Sequence, residues 1–187
     1  MSVNRFTIDG YGQLELNNCA FRRDGRIEAQ CKLDATDFAS VPAENGMLLA
    51  VDNVARVVRF VDASDDAPVA INYTSEHMYD ERTPGLKNFK LERGSFLPRL
   101  GYLSTGDKFT TNCFSYDTSD FADDDAVRAI ALTGGSAVKV YASEYAAGDG
   151  TILLKKTTAP TGKKVLLKVI EVTTMPDGQF ALKFQVL

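Results

Sequence analysis

Histidine, cysteine and tryptophan are scarce in this sequence. Its 187 residues include one histidine, His77, three cysteines and no tryptophan. A single histidine excludes multi-histidine metal sites, and a Cys–His or Ser–His mechanism would have to use His77 alone. The sequence also lacks a G-x-S-x-G nucleophile elbow, a P-loop and a G-x-G-x-x-G motif that opens a helix. We therefore expect no catalytic residues, no cofactor and no metal ion, and interpret the chain as non-enzymatic.

The three cysteines, Cys19, Cys31 and Cys113, form no C-x-x-C pair and have no zinc-binding spacing. Free cysteine behaves as a small hydrophobic residue. We therefore expect reduced, buried thiols, with a Cys19–Cys31 disulfide as the alternative.

Long hydrophobic runs and a basic surface are lacking too. The longest apolar stretches, such as residues 46–51 and 165–169, are far shorter than the roughly 20 residues of a membrane-spanning helix. Residues 1–6 reach polar side chains without the apolar region of a secretory signal, which predicts a cytoplasmic protein at synthesis. The net charge is −4 and the cationic residues are scattered, which argues against nucleic-acid binding. We expect neither a membrane nor a nucleic-acid partner.

The apolar pattern predicts a mainly β protein. The length and the ordinary apolar fraction of 44% favour one domain over residues 1–187, with residues 1–12 as a candidate N-terminal arm. In residues 26–33, apolar side chains alternate with polar ones at Ile27, Ala29, Cys31 and Leu33. This period of two is typical of a half-buried strand.

Two hairpins are predicted. Residues 46–51 and 54–61 read as strands joined by a turn at Asp52 and Asn53. Residues 164–173 and 179–186 flank a turn that contains Pro176 and Gly178. Shorter strands are predicted at residues 69–74, 88–91, 98–103, 108–114 and 137–141. Strands at this spacing indicate a single β-barrel or β-sandwich domain.

One short helix is predicted at residues 119–132. Asp117 or a neighbouring hydroxyl residue can cap its start, and Gly134–Gly135 can end it. Acidic residues early in a helix interact favourably with its dipole. The cluster of Asp117, Asp120 and residues 123–125 therefore fits a helix start, and calcium binding is the alternative, although the spacing does not match an EF-hand.

The stretch from residue 75 to residue 94 is long and shows little alternation. It carries both charge signs over a short distance, which suits a contact surface with another protein. Long loops in compact domains are often functional. The alternative to a binding loop is that residues 75–94 are only an irregular connection between two strands.

Residues 98–112, PRLGYLSTGDKFTTN, resemble the barrel region of structural proteins encoded near the major capsid genes of tailed phages. Residues 82–89, RTPGLKNF, and the acidic tract of residues 117–125 add to this resemblance, which covers residues 46–130. The resemblance is to the capsid decoration, or cement, type. It implies a β-barrel or sandwich that sits on the outside of the capsid and clamps neighbouring subunits.

The resemblance further implies a place and partners for the chain. The protein would belong to the virion, assembled in the host cytoplasm, and would bind the major capsid protein and copies of itself as a homo-oligomer. Extended arms and edge strands typically make such contacts. From expected exposure and loop length, we predict that the interface includes Asn4, Arg5, Phe6, Tyr79, Arg82, Lys87, Phe89 and Arg93.

Two other functions fit the same sequence. A tail-tube or head-completion protein would also be a small β structure without catalytic residues, but it would form a ring of identical subunits. A soluble ligand-binding β-barrel would instead enclose a concave apolar pocket with a few convergent polar groups.

Overall fold

Two β-sheets packed face to face form the protein. The computed structural model describes residues 2–15, 19–62, 64, 66–74, 86–94, 97–132, 139–145, 148–156 and 159–187. The described residues form fourteen strands and two short α-helices. The mainly β class is confirmed, and the arrangement is sandwich-like because neither sheet closes into a barrel among these residues.

The larger sheet has eight strands, and most of its neighbouring strands are antiparallel. The exception is the parallel pair β10–β12. In spatial order its strands are β1 (Val3–Arg5), β10 (Phe114–Asp117), β12 (Ile152–Lys156), β11 (Val140–Glu144), β13 (Leu166–Thr174), β14 (Phe180–Val186), β9 (Lys108–Thr111) and β2 (Leu14–Glu15).

The smaller sheet has six strands, and its one parallel pair is β4–β6. In spatial order its strands are β3 (Ile27–Glu28), β8 (Leu100–Tyr102), β7 (Val69–Asn72), β5 (Leu48–Asp52), β6 (Val57–Arg59) and β4 (Lys32–Leu33).

The main core lies between the two sheets. Leu48 and Ile71 of the six-stranded sheet belong to the same buried cluster as Phe109, Leu154 and Phe184 of the eight-stranded sheet. Successive side chains of a strand point to opposite faces of the sheet. Every second side chain of a strand therefore points into the space between the two sheets. The shared core joins the two sheets.

A second core covers the opposite face of the six-stranded sheet. Leu49 and Val51 alternate with the inward-facing Leu48 and belong to this second cluster, together with Phe38 and Leu91 from the connections. Both faces of β5 are therefore buried. This explains why residues 46–51 form a continuous apolar run instead of an alternating one.

Both predicted hairpins are confirmed. β5 and β6 are antiparallel, although their turn is longer than predicted: Val54 is 97% exposed, and Asp52 Oδ1 accepts hydrogen bonds from the backbone N–H groups of Val54 and Ala55. β13 and β14 also pair antiparallel across the predicted turn. Since β14 also pairs with β9, the C-terminal hairpin is integral to the larger sheet.

The single strand predicted at residues 26–33 is wrong. The segment forms two short strands, β3 and β4, which lie at opposite edges of the six-stranded sheet. β3 pairs antiparallel with β8, whereas β4 pairs parallel with β6. The chain bends between them because it has to cross the sheet, and alternation alone does not reveal such a bend.

The predicted helix at residues 119–132 is much shorter than expected. It is α2 (Asp124–Arg128), which starts at Asp123, whose carboxylate accepts a hydrogen bond from Ala126 N. Asp117 lies instead in β10. A second helix, α1 (Ala20–Asp24), was not predicted from the sequence. α1 buries Phe21 against Tyr73, with their ring centroids 4.9 Å apart.

The shorter strand predictions have mixed outcomes. The strands at residues 69–74, 98–103 and 108–114 correspond to β7, β8 and β9. Residues 88–91 form the end of a 3₁₀ turn and a single bridge between Leu91 and Ala43 instead of a strand. The prediction at residues 137–141 falls partly outside the described residues, and β11 begins at Val140.

The N-terminal segment is part of the larger sheet. Val3, Asn4 and Arg5 pair antiparallel with residues 115–117 of β10. Residues 1–12 are therefore not a free arm in the described part of the chain. This strand, β2 and the central strand β12 were not predicted from the sequence.

Candidate functional site

The predicted contact residues fall in two places. Asn4 and Arg5 lie on β1, at the edge of the larger sheet. Lys87, Phe89 and Arg93 lie at the described end of the long segment that connects β7 and β8. Tyr79 and Arg82, and also His77, lie outside the described residues.

Two of the predicted contact residues are buried. Phe6 is 1% exposed and packs on Phe114, with the ring centroids 4.8 Å apart. Phe89 is 6% exposed and belongs to the second core. Their side chains pack inside the fold and leave very little exposed area for a partner. The expectation that they are exposed contacts is wrong.

The connection between β7 and β8 is closed at its base. Tyr73 N donates a 2.9 Å hydrogen bond to Arg99 O, so the two ends of the connection meet at one end of the six-stranded sheet. Its described part, residues 86–94, is held against the body by the bridge between Leu91 and Ala43. A long loop whose ends meet on a rigid sheet is a common support for binding residues.

Lys87 is fixed by the N-terminal segment. Its ammonium group pairs with the Asp9 carboxylate, and its backbone oxygen accepts a 2.7 Å hydrogen bond from Tyr11 N. The hydrogen bond that Lys87 donates to Asp9 raises the pKa of Lys87. Gly10 between Asp9 and Tyr11 has φ +83°, and a Cβ there would lie 2.2 Å from Lys87 O. Only glycine allows this close approach.

Lys90 continues this surface beyond Tyr11. Its ammonium group lies 2.7 Å from the Glu92 carboxylate and 5.4 Å from the centroid of the Tyr11 ring. The hydrogen bond with Glu92 raises the pKa of Lys90 and lowers the pKa of Glu92. The pair of Lys90 and Glu92 is therefore fully charged near neutral pH.

A groove of about 310 Å³ adjoins Lys90 and Glu92. Its other wall is formed by residues 38–42, where Val41 is 39% exposed. Arg93 lines the groove and donates a 3.0 Å hydrogen bond to Ala35 O. We call this set the loop-base surface; it consists of Asp9, Tyr11, Lys87, Lys90, Glu92, Arg93 and residues 38–42.

The sequence pointed to only part of this surface. It indicated the mixed charges near Lys87 and Arg93, which lie within a few residues of each other. It gave no signal for Asp9 and Tyr11, because they are more than 70 residues away along the chain. Gly10 lies between them, and a glycine often marks a close backbone approach, but this residue was not part of the prediction.

Two further clefts are lined by described residues, and the first of them adjoins the loop-base surface at Asp9. One, of about 410 Å³, is lined by Phe6, Phe180 and Arg128, whose guanidinium carbon lies 4.8 Å from the Phe6 ring centroid. The other, of about 210 Å³, lies beside α2 and is lined by Phe121 and Lys156 among others. The first is mixed in character and the second is largely apolar.

The three cysteines are free and buried, as predicted. Burial raises the pKa of Cys19 and of Cys113 to about 12. Burial also raises the pKa of Cys31. The reactive species of cysteine is the thiolate, so these thiols are poor nucleophiles and poor metal ligands near neutral pH.

The acidic residues near α2 are used by the fold. Asp117 pairs with Lys155 and accepts hydrogen bonds from Ser119, while Asp120 accepts one from Lys156 N. Asp123 caps α2. Within the described ranges, no group of three or more His, Cys, Asp or Glu residues is arranged to hold a metal ion.

No described helix is both long and apolar enough to cross a membrane. Comparison of the chain with family models, with curated proteins and with solved structures finds no match.

Proposed function

We propose that this chain is a non-enzymatic virion structural protein that binds the outside of a tailed-phage capsid and stabilises it by bridging neighbouring capsid subunits. The resemblance of residues 46–130 to decoration proteins supports the proposal. The observation that carries it is the loop-base surface, where a groove and charges of both signs lie beside the closed base of a long loop.

The composition of the loop-base surface favours a protein partner. Tyrosine and arginine are enriched in protein interfaces because they combine apolar area with polar ends. Arg93 lines the groove together with the partly exposed Val41, and Tyr11 lies against Lys90. The exposed ion pairs contribute little to folding, because water and salt screen the attraction between charges at the surface. Their ordered arrangement serves recognition better than stability.

The rigid support of this surface would limit the cost of binding. The groove walls rest on the second core through Phe38, whose ring centroid lies 4.8 Å from that of Phe60. Side chains already held in place lose less conformational entropy on association. Repetition of such contacts over a shell would add avidity without any further contact.

A co-sedimentation experiment tests this function. Purified chain would be mixed with empty shells of the major capsid protein encoded in the same genome, after size-exclusion chromatography with light scattering of each component. We expect saturable co-sedimentation of the chain with the shells. A chain that stays in the supernatant at every concentration overturns the proposal, whereas rings of the free protein in negative stain would point to the tail-tube function.

Paired variants test the surface itself. We expect the double variant Lys87→Ala with Arg93→Ala to bind shells at least tenfold more weakly, a change that corresponds to about 1.4 kcal/mol. Its melting temperature should stay close to that of the parent. The matched control, Lys108→Ala with Arg23→Ala, removes two exposed cations from elsewhere on the molecule. Equal weakening by both double variants would remove the loop-base surface from the interface.

A further inference from the structure

Among the described residues, the two sheets end in four edge strands, and β1 differs from the other three. β2, β3 and β4 have two residues each, and each carries a charged side chain: Glu15, Glu28 and Lys32 respectively. Short length and charge are the usual protections of an edge strand against pairing with another chain. β1 has three residues, and its only charged side chain is Arg5.

The charge of Arg5 is bound within the protein. Its guanidinium donates a 2.7 Å hydrogen bond to Glu44 Oε2 and lies 3.8 Å from Cys113 Sγ. The same Glu44 oxygen accepts a 2.6 Å hydrogen bond from Gly12 N. Arg5 therefore anchors the strand and does not serve as a repelling charge on its edge.

The register of β1 shows which backbone groups face outward. Phe6 N donates to Phe114 O, Thr118 N donates to Ser2 O, and Asn4 lies opposite Tyr116. In an antiparallel strand, alternate residues direct their N–H and C=O groups to opposite sides. The groups of the even-numbered residues thus point to β10. Those of Val3 and Arg5 point away from the sheet.

We propose that two copies of this chain pair through β1, antiparallel, around a two-fold axis at Asn4. The outward N–H and C=O groups of Val3 and Arg5 are placed symmetrically about Asn4. The edge of β1 is therefore complementary to the same edge of a second copy rotated by 180°. The backbone of Val3 would exchange two hydrogen bonds with the backbone of Arg5 in the second copy. By symmetry, the backbone of Arg5 would exchange two hydrogen bonds with that of Val3 in the second copy. The two eight-stranded sheets would become one continuous sheet.

The electrostatics of this edge favour a second copy as its occupant. Each Arg5 keeps its own Glu44, so pairing two identical edges brings no unpaired like charges together. At the axis, the exposed Asn4 side chain would meet its own image, and the amide group can both donate and accept hydrogen bonds. The proposal is independent of shell binding, since the loop-base surface is built from other residues.

The pairing is expected to be weak in solution. A contact of three residues per strand buries much less than the roughly 1,200 Å² of a stable interface. Dimers should therefore accumulate only at high protein concentration. If copies were held side by side on a shell, the high effective concentration would favour the same pairing.

Sedimentation velocity over a wide concentration series tests the pairing. We expect the parent chain to shift reversibly from monomer to dimer as the concentration rises. Val3→Pro removes the outward N–H of residue 3 and leaves the groups that face β10, so it should weaken dimerisation at least tenfold. Val3→Thr keeps the N–H and the branched side chain and should dimerise like the parent. A parent chain that is monomeric at every concentration overturns the proposal, as does undiminished dimerisation of Val3→Pro.

Hydrogen exchange on the parent chain provides a second readout that does not depend on the folding of a variant. The amides of Val3 and Arg5 should exchange rapidly in dilute solution and become protected at high concentration. Amides of β10 should be protected at both concentrations. Exchange at Val3 and Arg5 that does not change with concentration contradicts the pairing, even if a dimer forms by another surface.

Discussion

Arg26 holds the turn that carries the chain from one sheet to the other. Its guanidinium donates hydrogen bonds to Tyr102 O at 2.8 Å and to Asp107 Oδ2 at 2.9 Å, and also contacts Ser104. Asp107 is 8% exposed and accepts a further bond from Ser104 N. This turn joins β8 to β9 and lies within residues 98–112. Residues 98–112 therefore form a corner between the two sheets.

We predict that Arg26→Ala lowers the free energy of unfolding by about 1.5–3 kcal/mol, because hydrogen bonds to charged groups are lost and Asp107 is left poorly satisfied. Urea unfolding measures the effect. Arg23→Ala is the matched control: that side chain is 79% exposed and pairs with the adjacent Asp24. The control should change the stability by less than about 0.5 kcal/mol. Similar losses in both variants would mean that Arg26 does not hold the corner.

Asp117 is a buried carboxylate on the outward side of the larger sheet, 1% exposed. Burial by itself would raise its pKa, but hydrogen bonds from Lys155 and Ser119 outweigh burial and lower the pKa to about 2. A carboxylate with a lowered pKa stabilises the folded state above its unfolded pKa, near 3.8. This stabilisation is lost as the pH falls from about 4 to about 2.

We predict that Asp117→Asn lowers the free energy of unfolding by about 2 kcal/mol at pH 7, an order of magnitude set by the pKa difference. The deficit should shrink as the pH falls towards 2, where about half of the parent carboxylates are protonated in the folded state. Urea unfolding at a series of pH values measures this convergence. Asp125→Asn, at an exposed position of α2, is the control and should show a smaller effect at pH 7. A deficit that does not change with pH would contradict the assignment of a charged Asp117.

At the scale of single elements, the start of β5 depends on a glycine. Gly46 has φ +91°, and a Cβ there would lie 2.3 Å from Thr111 Oγ1 and 2.8 Å from Cys113 Cβ. Its N–H donates a 2.9 Å hydrogen bond to Asn72 O. The chain that enters β5 thus passes close to the end of β9 at a residue without a side chain.

We predict that Gly46→Ala destabilises the protein by about 1–3 kcal/mol more than Gly106→Ala does, because only the first substitution adds a steric overlap. Gly106 has φ +93°, and a Cβ at this position would meet no atom within 4 Å, so its substitution adds the backbone strain alone. Thermal and urea unfolding of the two variants measure the difference. Equal destabilisation would show that the chain relaxes around residue 46 without cost.

For single elements, the pattern of apolar residues predicted that a segment is a strand more reliably than it predicted the first and last residue of that strand. The alternation from Ile27 to Leu33 reports correctly that Cys31 and Leu33 are buried. It does not report that the segment changes partner between β3 and β4, since pairing involves residues that are distant along the chain. An aspartate does cap α2, but it is Asp123. Asp117 and Asp120 form hydrogen bonds with a neighbouring strand instead. Their partners, Lys155 and Lys156, come from β12.

In the molecule as a whole, each face of the six-stranded sheet packs against its own hydrophobic core, so both faces contribute to stability. Leu48 and Leu49 are adjacent, and both are fully buried, but they belong to different clusters. In a sandwich with one solvated face, only one of them would be buried. The covering segments around Phe38 and Leu91 thus act as a third layer.

We predict that Leu48→Ala and Leu49→Ala each lower the free energy of unfolding by about 2–5 kcal/mol, the usual effect of a cavity in a core. Val54→Ala, at a 97% exposed position of the adjacent turn, should be close to neutral. Urea unfolding of the three variants measures this. A small effect of Leu49→Ala alone would mean that the second core is loosely packed.

Local features of the sequence established the mainly β class and the two hairpins, and they favoured free cysteines over a Cys19–Cys31 disulfide. These follow from local chemistry: the period of the apolar residues, turn residues such as Pro176 and Gly178, and the spacing of three cysteines. The sequence also indicated the charged stretch that contains Lys87 and Arg93. Such features involve residues close together along the chain.

The order of the strands in the sheets, the second core and the loop-base surface are visible in the folded structure alone. The structure also placed Phe6 and Phe89 inside the fold and β1 at an open edge. Each of these depends on contacts between distant segments, such as Asp9 with Lys87 or Arg5 with Glu44. The apolar pattern of each segment is compatible with many pairings between distant segments. One of them is selected because it buries the apolar faces of all strands and helices at the same time.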